Sequence, residues 1–256
     1  MTDARYPSVE GRPLVLGHRG ASDEAPENTL VAFRRALDRG ADGFELDVWR
    51  CGSGEAVVIH DPDAARTGQS PARIRETPLT LLRELDVGLW KGDGFRGERI
   101  PTLAEVLEEF PGAIVNVELK SGRLPDPGLS VVVARTLRQQ RAEPRVVVSS
   151  FSASLLGAFR AIAPDVATGY LVAPGALATV RAAAVVRALR PEAIHPALEL
   201  ATDERVEDWR RAGLAVLVWT VDDPAAVERL SRLGVTAVVS NRPGVAREAV
   251  RRATGY

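Results

Sequence analysis

LVLGHRGASDEAPENTLVAFRRALDRGADGFELDVWRCGSGEAVVIHD, residues 14–61, is the stretch that decides the fold of this chain of 256 residues. Its apolar runs 14–17 and 43–48 have the length of buried strands, and an amphipathic helical pattern over 29–39 lies between them. Strand, helix and strand in this order are typical of a parallel β/α unit.

The same alternation continues to the end of the chain. Further strands are predicted at 56–59, 113–119, 145–149, 167–172, 193–195, 215–219 and 236–240, and further helices at 102–110, 128–140, 152–163, 177–189, 203–212, 223–233 and 244–253. Thr29, Thr102 and Ser152 are suited to cap helices, and Pro224 is suited to a first helical position. This pattern has one strand too many for a simple β/α repeat.

The surplus strand is the run at 56–59. It follows the strand at 43–48 too closely for a parallel crossover, which needs about 10–12 residues or more. The Cys-Gly-Ser-Gly sequence at 51–54 indicates a hairpin turn, so 56–59 is predicted to pair antiparallel with 43–48. With the turn centred near residue 53, paired residue numbers sum to about 106. His60 then returns opposite Glu45 or its neighbour.

Eight β/α units remain without the surplus strand, which predicts an α/β fold of the (β/α)8 TIM-barrel type. No GxGxxG fingerprint follows a strand, which argues against a dinucleotide-binding fold. Residues 1–256 are therefore expected to form one catalytic barrel domain. Residues 61–100 form a polar insertion with several Gly and Pro residues, and we expect this segment to cap the active mouth and to shape substrate choice.

Composition excludes several classes of protein. A net charge of -1 and a pI near 6.4 provide no basic footprint for nucleic acid. The single cysteine, Cys51, cannot form an internal disulfide. Residues 1–13 lack the apolar stretch of a signal peptide, and no apolar run is long enough to span a membrane. A cytoplasmic protein without stable membrane insertion is expected.

The carboxyl ends of the predicted strands carry three acids, Glu45, Asp47 and Glu118. Catalytic groups of such barrels come from these strand ends, and hard carboxylate ligands suit Mg²⁺ or Ca²⁺. The alternative is a buried salt network of the three acids with Arg19 and Lys120. Three acids against two bases would leave one buried charge unpaired, which is costly and favours a divalent cation.

Two histidines at the same strand ends, His18 and His60, are the candidates for general acid and general base, because an unperturbed imidazole titrates near neutrality. Arg19 and Lys120 offer cationic contacts to a phosphate and to the charge that develops on it, so Arg19 is placed with the catalytic residues. A plain salt-bridge role is the alternative for each cation.

Two further residues at strand ends are weaker candidates for substrate contacts. His195 is predicted either to contact substrate or only to line the barrel mouth. Trp219 is predicted to present an aromatic wall to substrate, with a place in the barrel core as the alternative. Ser149 and Ser150 lack the GxSxG surroundings of a nucleophile, and Cys51 lacks the histidine signature of a reactive thiol.

These residues lie in motifs that resemble those of the glycerophosphodiester phosphodiesterase family. The matching segments are GHRGAS (17–22), PENTLVAF (26–33), GADGFELDV (40–48), VIHDP (58–62), IPTLAEVL (100–107), VELK (117–120), SSF (149–151), VWTVD (218–222) and SNRP (240–243). The similarity spans the whole chain in order. The segment DAARTG (63–68) and Asn241 depart from the common pattern, which affects loop contacts and substrate breadth.

The resemblance implies a TIM barrel that hydrolyses glycerophosphodiesters to glycerol 3-phosphate and a free alcohol, with either water or, through a cyclic phosphate, the glycerol 2-hydroxyl as the nucleophile. It also implies the roles of seven residues: His18 and His60 as the acid/base pair, Arg19 holding the phosphate, Glu45, Asp47 and Glu118 binding a divalent cation, and Lys120 contacting phosphate. Three alternatives are a lysophospholipase D type enzyme, a non-catalytic barrel that binds phosphorylated ligands, and an iron site of two histidines and one carboxylate.

Overall fold

Eight parallel strands close into a barrel in the computed structural model, which describes residues 6–9 and 11–256. The strands are β1 Leu14–His18, β2 Gly43–Arg50, β3 Ala56–Val58, β4 Ile114–Leu119, β5 Val146–Ser150, β6 Ala167–Val172, β7 Ala193–Pro196, β8 Ala215–Val218 and β9 Ala237–Ser240. Pairing of β1 with both β2 and β9 closes the barrel, while β3 lies outside it. The predicted TIM barrel is confirmed. Of the predicted domain, residues 1–5 and 10 lie outside the described residues.

Ten α-helices accompany the strands in the described part of the chain: α1 Leu30–Asp38, α2 Ala65–Gly68, α3 Leu79–Leu82, α4 Leu103–Glu109, α5 Pro127–Gln140, α6 Ala153–Ile162, α7 Ala178–Leu189, α8 Asp203–Arg211, α9 Pro224–Arg232 and α10 Pro243–Thr254. The predicted caps are confirmed, because the side chains of Thr29, Thr102 and Ser152 accept backbone N–H groups of the first turn. Pro224 is the first residue of its helix. Within the described residues, no helix is long and apolar enough to cross a membrane.

The hairpin of β2 and β3 has the predicted register. Val48 pairs with Val58 and Arg50 with Ala56, so paired residue numbers sum to 106 as expected. A further hydrogen bond of 3.0 Å from the backbone N–H of Ile59 to the Asp47 carbonyl extends the pairing beyond β3. The hairpin therefore brings the chain back to Asp47 on β2 just before His60.

Inward and outward side chains of the barrel differ in character. Outward residues pack against the helices, as in the stack of Phe33 on Phe44 with ring centroids 4.2 Å apart. Burial of each such ring contributes roughly 1.5–3 kcal/mol. Inward residues close the amino-terminal end with a small apolar layer under Tyr6, formed by Val147, Ala167, Ala193 and Ala215. Charged and polar side chains therefore collect at the carboxyl end of the barrel.

The inserted segment 61–100 contains α2, α3 and two short 3-10 turns at Ile74–Glu76 and Asp93–Phe95. Ile74, Leu82 and Val87 of this segment are buried in a cluster against the hairpin. Lys91 donates a hydrogen bond of 2.6 Å to the Ser22 carbonyl in the loop after β1. The insertion is thus attached both to the hairpin and to the loop that carries Arg19.

Candidate active site

A pocket opens at the carboxyl end of the barrel, and one side of it is charged while the other is apolar. Its lining consists of His18, Arg19, Glu45, His60, Asn116, Glu118 and Lys120 on the polar side and Phe151, Leu171, Leu217, Trp219 and Val239 on the other. The structure therefore brings most of the predicted site residues to one place. Asp47 lies beneath this lining and is 1% exposed.

The three predicted metal ligands meet at the edge of β2 and β4. Asp47 and Glu118 are register partners on these neighbouring strands, and Glu45 precedes Asp47 by two residues on the same face. One carboxylate oxygen from each of Glu45, Asp47 and Glu118 lies within 4.8 Å of the others, and all three residues are buried. Oxygen ligands from three buried carboxylates match the preference of Mg²⁺ and Ca²⁺.

Asp47 is the best-paired acid of the three. The Nε atom of Arg19 and the Nζ atom of Lys120 each lie 3.2 Å from one of its oxygens, and Asn28 donates a hydrogen bond of 2.8 Å. Burial alone would raise the pKa of Asp47, but the two cations outweigh burial and hold its pKa well below the usual range. Asp47 is therefore fully ionised at neutral pH.

Glu45 and Glu118 carry the excess negative charge. Glu118 pairs with Lys120 at 2.8 Å, but burial and the Asp47 charge still raise its pKa to about 7. Glu45 accepts the backbone N–H of Arg19 at 3.0 Å and forms no salt bridge among the described residues. Burial, Asp47 and Glu118 raise the pKa of Glu45 well above its usual value. A divalent cation bound to the three carboxylates would supply the missing positive charge.

Arg19 has a left-handed backbone conformation, with a φ of +53°. Such a conformation costs an L-residue roughly 1–2 kcal/mol. It directs the backbone N–H toward Glu45 while the side chain reaches Asp47 and, at 2.8 Å, Glu27. The strain therefore serves to hold this arginine against the carboxylates from two directions.

His18 has its Nδ1 atom 2.7 Å from the Oδ1 atom of Asn241. The amide of Asn241 is oriented by Asp222, which accepts from Nδ2 at 2.6 Å. Because an amide oxygen only accepts, Nδ1 of His18 carries the proton and Nε2 keeps its lone pair. Burial and the Arg19 charge lower the pKa of His18, which favours the neutral imidazole. This arrangement suits a general base.

His60 has a different partner, because its Nδ1 atom lies 2.7 Å from the carboxylate of Asp61. The carboxylate accepts the Nδ1 proton in a charge-assisted hydrogen bond, which fixes the ring and leaves Nε2 as the nitrogen available to substrate. The backbone carbonyl of His60 accepts the indole N–H of Trp49 at 3.0 Å, which anchors the loop after the hairpin. This arrangement suits a general acid.

Trp219 lines the apolar side of the pocket together with Phe151, and the two rings meet edge to face with centroids 5.5 Å apart. Its indole N–H donates to the carbonyl of His195 at 2.8 Å, which fixes the ring at the mouth. An aromatic wall of this kind is suited to the uncharged part of a substrate.

His195 lies apart from the other predicted substrate contacts. Its side chain is fully buried inside the barrel, against Gly169, with Nε2 3.3 Å from the Tyr6 hydroxyl. The described residues that line the pocket do not include it, and Nδ1 has no hydrogen-bond partner among the described residues. The structure therefore gives no support to a direct contact between His195 and substrate.

Burial lowers the pKa of His195 to about 3. The unfolded chain binds a proton on this residue below about pH 6.5, whereas the folded protein does not until about pH 3. We therefore expect the free energy of unfolding to fall by several kcal/mol, on the order of 1.4 kcal/mol per pH unit, as pH decreases through this window. Urea unfolding at several pH values would measure how the free energy of unfolding depends on pH. The His195→Gln variant should lack the part of this slope that comes from His195. An unchanged slope in the variant would contradict the assignment.

Sequence reasoning missed four polar residues around the site. Asn116 lines the pocket and precedes Glu118 by two residues, a spacing that could have identified it. Glu27 and Asn28 lie in the PENT segment and bind Arg19 and Asp47. Arg66 belongs to the insertion and had no recognisable spacing to the other site residues.

Comparison with known proteins agrees with this geometry. A model of the glycerophosphoryl diester phosphodiesterase family matches residues 18–245. The chain belongs to the glycerophosphoryl diester phosphodiesterase family. The predicted resemblance is confirmed, and membership of this family makes the chain a phosphodiester hydrolase.

Relatives cover nearly the full length of the chain. A glycerophosphodiester phosphodiesterase of Caldanaerobacter subterraneus subsp. tengcongensis is 36% identical over 245 residues, with 94% of this chain and 99% of the relative covered. A phosphodiesterase of Oleispira antarctica, solved in complex with the product sn-glycerol-3-phosphate, is 32% identical with a TM-score of 0.86, covering 93% of this chain and 97% of that chain. The glycerophosphodiester phosphodiesterase of Thermotoga maritima is 28% identical, with a TM-score of 0.75 and coverage of 92% and 97%.

Proposed function

We propose that this family member hydrolyses small glycerophosphodiesters to sn-glycerol 3-phosphate and a free alcohol, with a divalent cation bound by Glu45, Asp47 and Glu118. The observation that carries the proposal is the grouping of these three buried carboxylates with two differently partnered histidines in one pocket. We assign the activity to a single barrel domain, residues 1–256, with the insertion 61–100 beside its mouth.

The residues at the proposed cation site fit Mg²⁺ or Ca²⁺ by their chemistry. All three side chains are carboxylates, they are buried together, and Glu45 forms no salt bridge among the described residues. When bound, the cation supplies Lewis-acid stabilisation of negative charge on a phosphoryl oxygen. An iron site of two histidines and one carboxylate is disfavoured, because acids outnumber histidines within this cluster.

Acid–base chemistry is assigned to the two pocket histidines. Nε2 of His18, which keeps its lone pair, removes a proton from the nucleophile. The nucleophile is either water, which gives glycerol 3-phosphate directly, or the glycerol 2-hydroxyl, which gives a cyclic phosphate that water then opens. Nε2–H of His60, which is supported by Asp61, donates a proton to the leaving alkoxide. Attack and departure on opposite sides of the phosphorus need one base and one acid. The two imidazoles differ in the partner of Nδ1, which is an amide for His18 and a carboxylate for His60.

Arg19 and Lys120 are assigned to the phosphate. Both cations already lie within 3.2 Å of carboxylate oxygens at the pocket floor, so each is positioned before substrate arrives. Their charge would offset that of the phosphodiester and of the transition state. Trp219 and Phe151 would contact the uncharged part of the substrate.

Turnover of glycerophosphocholine in the presence of Mg²⁺ or Ca²⁺ tests the proposal. We expect equal amounts of glycerol 3-phosphate and choline, each measured by a coupled enzymatic assay. Lysophosphatidylcholine should be hydrolysed more slowly, because the pocket holds a compact charged group against a short aromatic wall. Faster release of choline from lysophosphatidylcholine would instead favour a lysophospholipase D type enzyme, and no release from either substrate would refute the proposal.

A further inference from the structure

Two of the proposed functional groups, Arg19 and His60, lie on different loops but are joined by one chain of charged contacts. Arg19 Nη1 lies 2.8 Å from Glu27 Oε1, and His60 Nδ1 lies 2.7 Å from Asp61 Oδ1. The link between the two carboxylates is a single guanidinium, that of Arg66. Neither Glu27 nor Asp61 lines the pocket among the described residues, so the chain runs behind the reacting groups.

The contacts of Arg66 use three of its nitrogen atoms. Nη1 and Nη2 donate to the two oxygens of Glu27 at 2.7 and 2.8 Å, and Nε donates to Asp61 Oδ2 at 2.7 Å. This is the planar fork of a guanidinium binding one carboxylate with two bonds and a second with one. A lysine ammonium at the same place could not satisfy both carboxylates in this geometry.

Each carboxylate is shared between Arg66 and a residue of the pocket. Glu27 is 11% exposed and shares Arg19 with Asp47, so Arg66 supplies the second cation that fixes where the oxygens of Glu27 lie. Asp61 uses one oxygen for Arg66 and the other for His60, so the plane of its carboxylate is set by the guanidinium. Arg66 therefore contacts one partner of each of the two pocket groups.

We propose that Arg66 is a positioning residue that aligns Arg19 through Glu27 and His60 through Asp61, so that a side chain of the insertion sets the geometry of both loops. This rests on the proposed function, in which Arg19 binds phosphate and His60 donates the proton. Arg66 itself is 44% exposed and touches neither group directly. Its effect on catalysis passes entirely through the two carboxylates.

Kinetics of four single variants and one double variant with glycerophosphocholine separate the two branches. Glu27→Gln is expected mainly to raise KM, Asp61→Asn mainly to lower kcat, and Arg66→Gln to do both, with kcat/KM reduced by about 10-fold to 100-fold. Arg66→Lys should recover less than half of the lost activity. In the Asp61→Asn background, Arg66→Gln should change kcat by less than about 2-fold, because the branch to His60 is already broken.

Arg83→Gln is the matched control. Arg83 lies in the same insertion, is 37% exposed and pairs with the single carboxylate Glu105. Its variant should keep wild-type kcat and KM, and both arginine variants should have similar melting temperatures. Wild-type kinetics for Arg66→Gln, full rescue by lysine, or equal effects of the two arginine variants would overturn the proposal.

A spectroscopic measurement tests the positioning role of Arg66 independently of the proposed function. Nitrogen-15 NMR of labelled histidine reports the tautomer of His60, and the contact with Asp61 predicts a proton held on Nδ1. Arg66→Gln should weaken this preference while leaving the signals of His18 unchanged. If the wild-type chain does not hydrolyse glycerophosphocholine, the proposed function fails, yet loss of the His60 signature in Arg66→Gln still supports the positioning role and its retention refutes it.

Discussion

Removal of divalent cations with EDTA is expected to lower hydrolysis of glycerophosphocholine at least ~1,000-fold, and added Mg²⁺ or Ca²⁺ to restore it. The reason is the charge balance of the pocket floor, where Glu45 forms no salt bridge among the described residues and Glu118 shares Lys120 with Asp47. Without a cation, the raised pKa values of Glu45 and Glu118 favour protonated carboxyls, and no Lewis acid offsets the charge on the phosphate. Activity is measured after dialysis, with metal content determined by elemental analysis.

Variants of the carboxylates extend this test. Glu118→Gln should weaken cation binding in a calorimetric titration and lower turnover with it, because it removes a ligand charge from the site. Glu228→Gln is a suitable control, since Glu228 is a surface carboxylate paired with Arg232 and Arg252. Full turnover by metal-free protein would exclude the cation from the proposed reaction.

Replacement of either pocket histidine by alanine is expected to lower kcat at least ~100-fold, which is the contribution typical of a general acid or base. The two variants should differ in their response to the leaving group. A p-nitrophenyl leaving group needs no proton, so such a substrate should recover much of the loss in His60→Ala and little of the loss in His18→Ala. This expectation follows from the Asp61 partner of His60 and the Asn241 partner of His18.

His195→Gln provides the matched control for both variants, because it changes the third histidine of the same barrel at a position away from the described pocket lining. Its kcat should stay within about 3-fold of wild type. If His60→Ala retains wild-type kcat with glycerophosphocholine, His60 is not the general acid. A large loss of kcat in His195→Gln would instead indicate that His195 takes part in the active site.

Much of the fold follows from local sequence. Periodicity and strand spacing identified the nine strands of the described residues, and the short distance between Val48 and Ala56 was enough to separate the hairpin from the eight parallel strands. These predictions succeed because they depend on neighbouring residues: alternation, turn composition and the minimum length of a crossover. The register of β2 with β3 could be calculated for the same reason.

The depth of a side chain within the barrel could not be predicted in this way. His195 and Trp219 both follow apolar runs, yet His195 lies inside the barrel under the aromatic wall while Trp219 reaches the pocket. Depth depends on the stagger between neighbouring strands, which is a property of the closed barrel. Arg66 was missed for a related reason, because its contacts with Glu27 span 39 positions of sequence.

The hairpin register has a consequence for how this protein can vary. If the pairing of β2 with β3 shifted by one residue, the side chains of the second strand would exchange faces and the imidazole of His60 would lie on the opposite side of the sheet. The turn contains none of the proposed functional residues, yet the register that it closes determines the position of His60. Insertions and deletions that shift the strand pairing by one residue should abolish turnover, whereas those confined to the turn should preserve it.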